Sequence, residues 1–242
     1  MGIGRLERQI KRIDTPDKLE RILECVVRDL VGAHVFLKLY YDINASFVEY
    51  KKEVNNSGTF WFLTRKSLYE SALLRICRAY DEQKDANGLR VVLLCIQRNP
   101  QFFDLDLFRV RNPNYSIPDN SDRMVNHPEP DQLQIDLKFV AADGGAVRRL
   151  KRMRHEDFVH SNIDLIASGK RIDVEHLPTY GDLDELLEKG LEIGNRYLRL
   201  FRGGTWSAQM VGEDDYKIIL NALRESSIAH EKQLELDLRK YR

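Results

Sequence analysis

The sequence predicts an all-α fold. Apolar residues recur at steps of three and four over long stretches, no convincing run of alternating apolar and polar residues interrupts them, and clusters of Asn, Gly and Pro punctuate the chain at helix-length intervals.

Thr15-Pro16-Asp17 reads as an N-cap, a proline in the first turn and an acid at the positive end of a helix dipole. Leu19, Ile22, Leu23, Val26, Leu30, Ala33, Leu37, Tyr41 and Val48 then keep one face apolar to about Val54, where Asn55-Asn56-Ser57-Gly58 ends the helix. A second helix, about Thr59 to Glu82, carries two adjacent stripes, Leu68/Ala72/Ile76/Ala79 and Tyr69/Leu73/Cys77/Tyr80. A face that wide takes more than one neighbour and places the helix centrally. Asp85-Ala86-Asn87-Gly88 turns the chain, and Leu89 to Asn99 forms a short apolar helix stopped by Pro100. From Asn112 to Pro130, Pro113, Pro118, Pro128 and Pro130 among Asn, Asp and Ser predict a long irregular connection.

Asp131 to Ala142 resumes with Leu133, Leu137, Val140 and Ala141 on one face, and Asp143-Gly144-Gly145 bends or breaks that helix before Ala146 restarts it. The restarted helix runs through a basic stretch to His160, and an irregular segment from near Gly169 reaches Pro178. Leu183, Leu187, Leu191, Gly194, Leu198 and Phe201 mark the next helix, ended by Gly203-Gly204, and Asp214 to Arg242 is a last, very polar one. No internal repeat is visible. The expected organisation is one helical domain over residues 1–242, with 1–14 as an N-terminal extension and 205–242 as a C-terminal helical extension.

The chain has 242 residues, 43% apolar and 31% charged, enough for one substantial core. Its 38 basic residues balance 38 acidic ones, which argues against a broad positive surface, so any contact with nucleic acid must be focal. Cys25, Cys77 and Cys95 form no CxxC pair and sit among apolar residues, as small buried hydrophobes do in a reducing compartment. Gly2 to Arg12 is charged and lacks an apolar core, and no apolar run approaches the roughly 20 residues of a membrane span. A soluble, cytoplasmic protein without a membrane partner is expected.

The most informative stretch is Arg154-His155-Glu156-Asp157-Phe158-Val159-His160. Val147, Leu150, Arg154 and Phe158 share one helical face, so Arg154 interrupts a core stripe. Burying an unpaired guanidinium is costly, so something must require it there. Arg148, Arg149, Lys151 and Arg152 stand just before it and make a local anion site in an otherwise neutral chain.

Spacing alone does not single out this pair, because Arg28/His34, Arg149/His155, Arg224/His230 and Arg171/His176 are spaced alike or nearly so. Position does. His34 lies on the Leu30/Leu37 stripe as a core histidine while Arg28 projects to solvent, and Arg224/His230 sits on a polar helix. Only Arg154 combines an inward direction with attached cations. The competing reading of the cluster is a solvated face paired with Asp182, Asp184, Glu185 and Glu188.

His155 and His160 come close to the HExxH zinc motif, but their five-residue separation turns the second imidazole by about 140° on a helix. No metal site is expected, and no cofactor. A nucleophile elbow and a Gly-rich phosphate loop are also lacking.

These residues resemble the HEPN superfamily, and within it the abortive-infection AbiU-like branch. Arg154-His155, four residues and His160 is similar to the family's arginine, polar residue, spacer and histidine on a late helix. Leu73 to Asp81 resembles the branch's helix leading into an acidic turn, and the order of elements from Asp17 to Arg202 is similar as well. The resemblance implies a metal-independent endoribonuclease that cleaves RNA by attack of the 2'-hydroxyl. It also implies a toxin or phage-defence effector, acting as a homodimer, with an antitoxin protein as a candidate partner.

Carried onto this chain, the resemblance makes His160 the acid or base and Arg154 the phosphate clamp, with Arg148, Arg149, Arg152 and His155 contacting RNA. Six residues set Arg154 and His160 about 120° apart on an ideal helix. Either the helix deforms or two copies meet across a twofold axis, and the resemblance implies the second. Position 162 is asparagine, where some members carry a tyrosine that accepts AMP, so that modification is not implied. The alternative function is a noncatalytic scaffold of the same fold that binds a partner protein or RNA.

Overall fold

The computed structural model describes residues 10, 12–82, 86–113, 127–141, 145–154 and 177–240. Among them no strand occurs. The helices are α1 (Pro16–Ser46), α2 (Lys51–Asn56), α3 (Gly58–Ala79), α4 (Leu89–Arg98), α5 (Leu105–Arg111), α6 (Pro130–Val140), α7 (Gly145–Met153), α8 (Tyr180–Arg202) and α9 (Asp215–Lys240). A 3-10 helical turn, Pro100–Phe103, precedes α5. The all-α expectation stands, and the chain groups into two compact units, Met1–Ala33 with Leu73–Ser207 and His34–Ala72 with Ala208–Arg242.

In the first unit α1 buries Leu19, Leu23, Val26, Val27 and Leu30, and α3 buries Ile76, Cys77 and Ala79, with Tyr80 just beyond its end. The Leu-rich stripe read from α8 is its core face, where Leu183, Leu187, Leu198 and Phe201 are buried. Two glycines of α8 permit close packing. A Cβ on Gly190 would come within 3.0 Å of Leu30 Cδ2 and of the Tyr80 hydroxyl, and one on Gly194 would stand 2.5 Å from Val27 Cγ2.

Both ends of α8 are closed locally. Thr179 and Asp182 form a capping box at its start, and Gly203 takes a left-handed φ of 73° at its end, as the Gly203-Gly204 stop predicts. Arg111 donates from Nε to the Phe201 carbonyl and from Nη2 to that of Phe102 while stacking over the Phe201 ring. Asp136 of α6 is buried, yet it accepts from Arg196 Nη1 at 2.6 and 2.7 Å and from the Tyr197 hydroxyl at 2.8 Å. That satisfies its charge.

The sequence did not anticipate Pro100–Phe103 or α5, which bury Phe102, Phe103 and Phe108. Residues 114–126 of the Pro-rich connection, residues 142–144 of the expected bend or break and residues 155–176 lie outside the described residues.

In the second unit the expected helix to Val54 is interrupted. Helix α1 stops at Ser46, residues 47–50 turn, and Val48 is 89% exposed instead of sharing the core stripe. The physical reason is a competing set of hydrogen bonds. Ser46 Oγ donates back to the Asp42 carbonyl at 2.9 Å and lies 2.7 Å from the Tyr216 hydroxyl. The turn lets Tyr50 and Val54 join Ile43, Trp61, Tyr216 and Leu220 in one cluster. Arg224 of α9 covers it, donating from Nε to Glu53 Oε1 at 2.9 Å and lying over the Tyr50 ring.

Gly194→Ala is expected to destabilise the protein by about 1–3 kcal/mol, because Val27 is fully buried and β-branched and has no room to move. A lowered thermal unfolding midpoint with unchanged helicity at low temperature is the outcome to look for.

Candidate functional site

Helix α7 is amphipathic by construction. Ala146, Val147, Leu150 and Met153 are buried, Arg148 and Arg152 are exposed, and Arg149 and Lys151 lie at the boundary. Arg154 follows the helix directly and points inward as the Val147/Leu150 spacing predicts, its side chain only 16% exposed. Its Nη1 forms an ion pair with Asp81, which is 14% exposed. Asp81 stands two residues beyond the end of α3, in the acidic turn that the sequence places there.

The neighbouring cations are met in the same way. Lys151 Nζ and Arg90 Nη1 each lie 3.0 Å from Glu82 Oε1. Arg149 grips Asp182 through two nitrogens, Nε to Oδ2 at 2.7 Å and Nη2 to Oδ1, while the Thr179 amide donates to Oδ2 at 2.7 Å. The Arg149 guanidinium first, with Thr179 assisting, lowers the Asp182 carboxyl to about 2 against the cost of burial. Three cations of the expected anion site are therefore paired with carboxylates of their own unit, and Arg148 and Arg152 are the exposed cations of α7.

Cys77 lies close enough to this network to feel the charges of Arg154 and Asp81, but burial dominates and pushes its thiol up to about 12. It stays protonated and is no nucleophile. Among the described residues no group of three or more His, Cys, Asp or Glu is placed to hold a metal. His155 and His160 lie outside the described residues.

The pairing of the cluster with Asp182 is the one that the solvated-face reading names. The pairing with Asp81 and Glu82 was missed. One signal pointed to it: an inward cation at 154 demands a carboxylate, and 81 and 82 are adjacent acids at the end of a buried helix.

The AbiU2 description of the HEPN families matches residues 16–221, which span all of this network. The chain belongs to the HEPN AbiU2 family. No curated protein and no solved structure matches it. As a HEPN AbiU2 member it is a HEPN-type abortive-infection protein. Among the described residues no helix is long and apolar enough to cross a membrane.

Because the folded Asp182 carboxyl titrates at about 2 against an ordinary 3.8, its contribution to stability is fully present above about pH 4 and is lost as the pH falls through about 2. Asp182→Asn is expected to lower stability at pH 7 and to flatten the acid limb of the stability curve, measured by urea unfolding between pH 2 and 7.

Proposed function

We propose that this HEPN AbiU2 protein is a metal-independent endoribonuclease, an effector of phage defence or a toxin, using Arg154 and His160 from two copies of the chain. The observation that carries this reading is a guanidinium held inward beside exposed cations on the motif helix of a HEPN member. In the reaction the 2'-oxygen attacks phosphorus and the bond from phosphorus to the 5'-oxygen breaks. This leaves a 2',3'-cyclic phosphate and a 5'-hydroxyl. His160 takes the proton from the 2'-hydroxyl or supplies one to the departing 5'-oxygen, and Arg154 holds the nonbridging oxygens as charge builds on them.

Arg148 and Arg152, exposed one helical turn apart, are suited to grip the RNA backbone, and Arg149 and His155 are proposed to contact RNA with them. Arg149 would do so while keeping its bond to Asp182. Six residues on an ideal helix would set Arg154 and His160 about 120° apart, which favours a site built from two copies of the chain. Cytoplasmic RNA and an antitoxin protein are the partners proposed with it.

The Arg154 to Asp81 ion pair also favours a second reading, in which the arginine is a structural tie and the protein is a noncatalytic scaffold binding a partner protein or RNA. RNA incubated in EDTA with the wild type, Arg154→Ala and His160→Ala separates the two. The nuclease reading expects fragments ending in 2',3'-cyclic phosphate, with a loss on the order of 10²–10⁴-fold for His160→Ala. Equal cleavage by all three removes the assignment. RNA binding without cut product, weakened by Arg148→Glu and Arg152→Glu, supports the scaffold.

A further inference from the structure

We infer that Asp81 is a positioning residue, which fixes the Arg154 guanidinium in the orientation that receives the scissile phosphate; the inference rests on the nuclease reading above. A guanidinium carries five N–H donors in a rigid fork, so a carboxylate on one nitrogen, with the side chain's own tether at Cδ as the second fixed point, narrows the orientations of the group and aims its remaining donors. The Asp81 contact to Nη1 does this in a largely desolvated setting, with both side chains under one-fifth exposed. A floppy surface pair would not, because it holds no single orientation.

What distinguishes Asp81 from an ordinary ion-pair partner is how firmly its own backbone is held. The residue before it, Tyr80, is buried and donates its hydroxyl to the Leu186 carbonyl of α8 at 2.6 Å. The Asp81 amide donates to the Arg78 carbonyl at 3.2 Å. On the other side the chain returns so closely that a Cβ on Gly88 would stand 2.3 Å from the Asp81 carbonyl oxygen and 2.9 Å from its nitrogen. Those neighbours are backbone and cannot yield, so only glycine fits. The residue after, Glu82, ties Lys151 of α7 to Arg90 of α4. Asp81 is thus held through Tyr80 on one side and the close approach of Gly88 on the other, while Glu82 beside it serves a separate pair of cations. A preorganised orienting group of this kind raises turnover with little effect on substrate affinity.

The test compares full-length wild type, Asp81→Asn, Asp81→Glu, Gly88→Ala and Glu82→Gln, each with a thermal melt, for kcat and KM of RNA cleavage. Asp81→Asn is expected to lose on the order of 10–100-fold in kcat at nearly constant KM. Asp81→Glu is expected to recover part of that loss, and Gly88→Ala, which keeps both charges but displaces the Asp81 backbone, to share it. Glu82→Gln, which removes an acid of the same turn ion-paired with Lys151 and Arg90 and not with Arg154, is expected to keep most of kcat.

Unchanged or faster cleavage by Asp81→Asn overturns the inference and leaves the nuclease reading standing. A loss in Glu82→Gln equal to that in Asp81→Asn, with melting points lowered alike, overturns it as well, since the turn then acts only as structure. Absence of cut product from the wild type, in the presence of bound RNA, removes the nuclease reading and this inference with it.

Discussion

A guanidinium withdrawn from water has to meet a carboxylate, and helix α7 is seated in its unit by that requirement. Its apolar side, Val147 and Leu150, supplies burial, which is nondirectional and would tolerate a turn of the helix about its axis. The ion pairs do not tolerate it. Arg149, Lys151 and Arg154 reach three different carboxylates, at the start of α8 and in the turn after α3, and satisfy them together in one rotation of the helix. Removing one partner would leave a partly buried charge unmet, and that penalty makes the arrangement specific.

Much of this was legible in the chain. The inward direction of Arg154 follows from its period with Val147 and Leu150, and the extents of α4, α6 and α8 follow from apolar spacing closed by Pro100, Pro130 and Gly203. The expected exposure of Arg28 also follows from its place opposite the Leu30 stripe, whereas His34 is only half-buried. Periodicity reports burial against something; it does not report against what. The acids at 81 and 82 were visible candidates, but which carboxylate meets Arg154 is not written in a linear reading, since Asp81 lies 73 positions away and its turn is tied to α8 through the Tyr80 hydroxyl.

The break after Ser46 was hidden for a related reason. The residues from Leu19 to Val48 sustain one helical period, and nothing local forbids continuation. What ends the helix is a hydroxyl contact with Tyr216, 170 positions later, which local propensity does not encode. Helix α5 escaped notice because Pro100 reads as a stop and the stretch after Asn112 as irregular, leaving a short amphipathic segment between two breakers. As for the site itself, a neutral composition concealed how unevenly charge is spent. Arg149 and Lys151 of α7, and Arg154 just after it, are paired with carboxylates of their own unit, while Arg148 and Arg152 lie exposed on the same helix.

Helix α9 carries a different lesson. Its last buried residue is Leu220, the family match ends at residue 221, and from Ile228 to Lys240 every side chain but the half-buried Asp237 stands in water. Lys240 and Gln233 both bond to Asp237, so the terminal turns are held by neighbours along the same helix. A segment supported only in this way follows helix–coil statistics instead of the all-or-none melting of the packed core, with the anchored turns at Tyr216 and Leu220 serving as its nucleus. Its amide hydrogens should then exchange with solvent at rates set by local fraying, separately from those of the helices that bury side chains.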